Sequence, residues 1–121
     1  MELTQEPKDS KNFIKNYENS VIYIGESSYK YDIILSPKNI REWEIDQIEN
    51  LSLKDFSGIL GLDPEIIIIG TGDKMIVPKR EIINNIYGQG IGLEYMKTDS
   101  ACKTFNILLS EERKVVAALH I

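Results

Sequence analysis

Gly70-Thr71-Gly72-Asp73 has the composition of a loop that passes close to a ligand, because glycine lets the backbone approach a bound group without a Cβ in the way. The loop follows Glu65-Ile66-Ile67-Ile68-Ile69, and in open α/β sheets ligands bind at the carboxyl ends of such strands. It is not a P-loop, which needs a later Gly-Lys-Ser/Thr, nor a dinucleotide fingerprint, which needs a third glycine opening a helix. A tight structural turn therefore stands beside the ligand-cradle reading.

Further along the chain, Glu94, Thr98, Asp99, Lys103 and Asn106 carry groups able to bind or to move protons. If the strands at 65–69 and 91–96 are parallel, Thr71, Asp73, Glu94, Thr98 and Asp99 share one sheet edge. The candidate cleft comprises Gly70, Thr71, Gly72, Asp73, Glu94, Thr98, Lys103 and Asn106. Helix amino termini expected near Pro78 and Thr98 favour an anion there, whereas Asp73, Glu94 and Asp99 oppose it. The favoured reading is an internal polar network, with Glu94 paired to Lys103 or Arg80; an acid/base carboxylate pair is the other.

Cys102 lies on the apolar stripe of its helix without a neighbouring histidine, which points to a buried, inert thiol. His120, the single histidine, is expected at the end of the last strand as an edge or surface residue. One cysteine and one histidine make no zinc constellation and no internal disulfide, and neither a metal nor a cofactor is expected. The net charge of -5 with scattered Lys and Arg excludes a nucleic-acid surface. No apolar run is long enough to span a bilayer, and Met1–Ser10 lacks the pattern of a secretory signal or presequence, so a cytoplasmic protein is expected.

The elements that must position these residues follow from periodicity. A chain of 121 residues suits one domain, read as a mobile tail over 1–12 and an α/β domain over 13–121. Phe13, Ile14 and Tyr17 suggest a first strand, and Val21–Ile24 a second that pairs with the alternating Tyr29, Tyr31, Ile33 and Leu35 in a hairpin around Glu26-Ser27-Ser28. Pro37 breaks the ladder, and Ile40, Trp43 and Ile45 form another extended piece. Trp43, Tyr29 and Tyr31 are read as core, with an exposed aromatic patch as the alternative.

Ser52 and Asp55 resemble a capping box before Leu53, Phe56, Ile59 and Leu60, with Gly61 as the stop. Pro78 is placed as the first residue of a helix whose stripe is Ile82, Ile83, Ile86 and Tyr87. Thr98 is placed as the cap of a helix carrying Ala101, Cys102, Phe105, Leu108 and Leu109 inward, away from Asp99, Lys103, Asn106 and Ser110. Val115–Leu119 closes the chain as a second fully buried strand. A three-layer α/β domain with a central mixed sheet, helices packed on it and an N-terminal β-hairpin is the expected fold.

The ordered series Gly70-Thr71-Gly72, Gly90-Ile91-Gly92-Leu93-Glu94-Tyr95-Met96, Thr98, Ala101-Cys102-Lys103-Thr104-Phe105-Asn106-Ile107-Leu108 and Val115-Val116-Ala117-Ala118-Leu119 resembles one small family of unknown function. That family includes the mitochondrial NADH dehydrogenase (complex I) assembly factor 3, and the resemblance runs from about Val21 through Pro37, Trp43 and Asp55-Phe56. It implies a three-layer α/β fold around a mixed sheet, and a role in binding partners during assembly rather than a known reaction. Lys103 stands where arginine is usual, which keeps the charge and loses the bidentate fork. The expectation is a bacterial, cytoplasmic, non-enzymatic module that binds a protein partner or itself. The alternative is a small-molecule-binding protein or enzyme using the cleft.

Overall fold

A computed structural model describes residues 11–121, so the expected tail falls outside the described residues up to residue 10. Asn12 is already tied down: its N–H donates to the Pro37 carbonyl (3.0 Å) and its side-chain amide to that of Ser36 (3.1 Å).

Strands β1 (Ile14–Glu18), β2 (Val21–Ile24) and β3 (Ser27–Tyr29) form a three-stranded antiparallel sheet in that order. Asn19 and Ser20 join β1 to β2 with φ of 53° and 58°, the paired positive values that a tight primed hairpin turn requires. The expected hairpin is thus present, but its second run is divided. Tyr29 stays in β3, while β4 (Ile33–Leu35) leaves for the second sheet. Ile34 explains the difference: Ile33, Ile34 and Leu35 are all buried, and a strand apolar on both sides needs cover on both faces.

The second sheet has five strands in the order β5-β4-β8-β6-β7, where β5 is Ile40–Glu42, β6 Ile66–Gly70, β7 Gly92–Met96 and β8 Val115–Leu119. β6 runs parallel to both β7 and β8, and β4 is antiparallel to β5 and β8, so the sheet is mixed. The two uninterrupted apolar runs sit side by side in its interior, as their lack of polar alternation demands.

Side chains alternate between two cores. Ile66, Ile68, Val115, Ala117 and Leu119 meet α3 (Thr98–Ser110) and the three-stranded sheet through Ala101, Phe105, Leu109, Ile14 and Ile22. Ile67, Ile69, Val116 and Ala118 meet Trp43, Phe56, Ile59, and Ile82 and Ile86 of α2 (Arg80–Gly88). Three layers result. The capping box is present, with the Ser52 N–H donating to the Asp55 carboxylate (2.8 Å), though it opens a 3-10 turn that leads into the short helix α1 (Ser57–Leu60). Trp43 is core: its Nε1–H donates to the Asp55 carbonyl (2.9 Å) and its ring stands edge-on to Phe56.

Two helix starts differ from expectation. α2 begins at Arg80, two residues after Pro78, whose ring fixes the approach rather than the first turn. Thr98 is the first residue of α3 and leaves its own helix uncapped, because its hydroxyl is used across the sheet end.

Candidate functional site

The carboxyl ends of β6, β7 and β8 converge on Thr98, which is fully buried. Its Oγ1 accepts the Gly72 N–H (2.8 Å) and donates to the His120 carbonyl, so one hydroxyl joins the loop after β6 to the end of β8. Backbone bonds reinforce the junction: Thr71 N–H to Met96, Thr98 N–H to Gly72 and His120 N–H to Gly70. Thr71, also buried, turns its hydroxyl to the Lys74 carbonyl and accepts the Ile76 N–H (3.2 Å), which folds the following loop back on itself.

The glycines serve packing here. A Cβ on Gly70 would stand 3.0 Å from Leu119 Cδ2 and from Thr98 Oγ1. Gly72 has a φ of +95°, and a Cβ there would stand 2.9 Å from Cδ2 of His120. That imidazole is held by Asp32, whose Oδ2 lies 2.9 Å from Nδ1, while Asp32 Oδ1 accepts the Ile121 N–H (3.0 Å).

Above this closed junction lies a cleft of about 180 Å3, lined by Tyr17, Gly72, Asp73, Lys97 and Asp99. A second cleft of about 190 Å3 shares Tyr17 and Asp99 and lies between β1 and α3, with Cys102, Lys103 and Asn106 on its wall. Burial, followed by the nearby Asp73 carboxylate, raises the Tyr17 phenol above its ordinary pKa. Burial, with Asp99 adding to it, pushes the Cys102 thiol up to about 12, the environment of an unreactive cysteine. Asn106 belongs to the frame of the cleft: its Oδ1 accepts the Ile14 N–H (2.9 Å) and its Nδ2 donates to the Ile14 carbonyl (2.8 Å), clamping β1 to α3.

Of the residues marked by the sequence, Gly72, Asp73, Lys103 and Asn106 border the two clefts, and Gly70, Thr71 and Thr98 are buried at the strand ends without lining either. Glu94 is elsewhere. It sits at the middle of β7 opposite Ile68, exposed, and among the described residues no ion pair joins it to Lys103 or Arg80. Lys103 faces β1, whereas the flank of α3 nearest β7 carries Thr104, whose hydroxyl reaches Met96 Sδ (3.4 Å). Tyr17, Asp32, Lys97 and His120 were not marked as a group, and no local pattern could have joined them, since Asp32 and His120 are 88 positions apart.

Lys97, Asp73 and Asp99 line one cleft together, while the threonine hydroxyls beside it are spent on the protein's own backbone. Among the described residues no cluster of His, Cys, Asp and Glu is arranged to hold a metal ion, and no helix is long and apolar enough to cross a membrane.

Residues 14–120 match the family described as "Protein of unknown function (DUF498/DUF598)". A "13 kDa major membrane protein" of Francisella tularensis subsp. holarctica (strain LVS) is 37% identical over 117 residues, covering 95% of each chain. The "NADH dehydrogenase [ubiquinone] 1 alpha subcomplex assembly factor 3" of Xenopus tropicalis is 31% identical over 97% of this chain, which spans 66% of that longer protein. Among solved structures, a Bordetella parapertussis protein superposes with a TM-score of 0.87 at 27% identity, over 94% of this chain and 98% of the other.

Proposed function

This chain belongs to the DUF498/DUF598 family, and we propose that it is a cytoplasmic protein-binding module with no chemistry of its own and an assembly-factor-like role, which its likeness to proteins named as assembly factors supports. The observation that carries the reading is the closure of the strand ends. Thr71 and Thr98, the hydroxyls best placed to greet a ligand, are bonded to Lys74, Ile76, Gly72 and His120. The cleft left at that edge, about 180 Å3, and the adjoining one between β1 and α3, about 190 Å3, are smaller than the roughly 300–1,000 Å3 usual for small-molecule sites.

Relatives named as assembly factors support a protein partner, and transfer of the respiratory role to this chain is part of the proposal. A second reading rests on the convergence of Tyr17, Asp73, Lys97 and Asp99 on one cleft, which suits a small polar ligand. Purification of the tagged native chain, with mass spectrometry of both proteins and small molecules, separates the two. A stoichiometric protein partner supports the module. A small molecule released on denaturation, and lost in an Asp73→Asn or Lys97→Gln variant, overturns it in favour of the ligand site.

A further inference from the structure

Among the described residues, strand β7 ends the five-stranded sheet and pairs only with β6. Gly92 donates to the Glu65 carbonyl and Met96 accepts from Thr71, so Gly92, Glu94 and Met96 turn their main-chain groups to β6. The alternation of a parallel ladder then directs those of Leu93 and Tyr95 outward. The Leu93 carbonyl accepts the Tyr87 hydroxyl (3.2 Å); the Leu93 N–H and both groups of Tyr95 have no partner among the described residues. Such an edge invites another strand unless it is blunted.

Glu94 stands at the centre of this edge, exposed and without a cation among the described residues. Its side chain is on the α3 side of the sheet, since it is in register with Ile68, which packs on α3. Leu93 and Tyr95 face the opposite side, where Tyr87 of α2 is 55% exposed. A second copy of β7 centred on the same residue would set one Glu94 against the other, and like charges directly opposite are destabilising.

Building on the protein-binding reading above, we propose that β7 is the docking edge for an extended segment of a partner protein, added as a sixth strand. The segment carries Lys or Arg opposite Glu94 on the α3 side and apolar residues on the side of Leu93, Tyr95 and Tyr87. Main-chain bonds to the Leu93 N–H and to Tyr95 supply the attachment, and the lone carboxylate selects the register and disfavours self-pairing centred on itself.

The test is a titration of the isotopically labelled full chain with acetyl-Val-Thr-Val-Lys-Val-Thr-Val-amide, followed by amide chemical shifts. Shifts centred on Leu93 to Tyr95 are expected. Exchanging the central Lys for Glu should weaken binding by about five- to tenfold, and the Glu94→Lys variant should reverse that preference. N-methylation of the peptide nitrogens that face β7 should abolish binding, while methylation of the other set should not. Absence of shifts in β7 at millimolar peptide, equal affinity for both peptides, or a β7-mediated dimer of the chain alone in sedimentation would overturn the proposal. So would a native partner that binds the Glu94→Lys variant undiminished, an outcome that removes this site and leaves the protein-binding reading standing.

Discussion

The imidazole of His120 packs on the Cα of Gly72, and the ring is fixed there by the Asp32 carboxylate. Gly72→Ala therefore meets two costs, a backbone at φ +95° and a Cβ 2.9 Å from Cδ2. The conformational part alone should lower stability by about 1–3 kcal/mol in urea denaturation. In the double variant with His120→Ala the loss should be smaller than the sum of the two single losses, because the steric part disappears. Strict additivity would show that the ring is not the obstacle.

Thr98→Val keeps the shape of the side chain and strands two partners, the buried Gly72 N–H and the part-buried His120 carbonyl. With roughly 1–3 kcal/mol per unsatisfied group, a loss of about 2–4 kcal/mol is expected. Thr98→Ser should recover most of it. Equal losses in the two variants would assign the effect to the methyl group.

Asn106→Ala removes both bonds to Ile14 and should cost about 1–3 kcal/mol. The loss should be local. Amide hydrogen exchange is expected to accelerate in β1 while β6 and β8 stay protected, since the latter belong to the sheet interior. Uniform acceleration would contradict the clamp.

Cys102 should label slowly in the native protein at neutral pH, and Cys102→Ser should fold. The thiol is raised from its ordinary value of 9 to about 12, so between those values the unfolded chain loses this proton first. Its linkage sign is a fall in stability as pH rises from about 9 towards 12, and none below that range. The serine variant should show a shallower alkaline decline. Rapid labelling at neutral pH would contradict the buried site.

Much of this architecture is legible in local patterns. Ile66–Ile69 and Val115–Leu119 carry apolar side chains towards both faces, which forces them into a covered sheet, and the stripes at Ile82/Ile86 and Ala101/Phe105/Leu109 repeat at the helical period. The family is legible for the same reason: glycines, prolines and apolar runs recur in a fixed order. Gly70 and Gly72 also announce a close approach, although the sequence does not say whether a ligand or the protein's own Leu119 and His120 comes near.

What approaches them was decided by the tertiary structure. The hydroxyl of Thr98 belongs to the first residue of its helix, and topology gave it to Gly72 and His120 at the ends of two strands. Asp32 reaches His120 and Tyr17 reaches the cleft at Asp73 only because the chain passes from one sheet to the other between β3 and β4. Glu94 differs from the cleft residues by its place on an outermost strand, a matter of strand order alone. Periodicity specifies which face of an element is apolar, because burial acts on each side chain where it stands. Which distant polar groups meet depends on the order and direction of strands, and that is fixed only when the two cores close over the sheet.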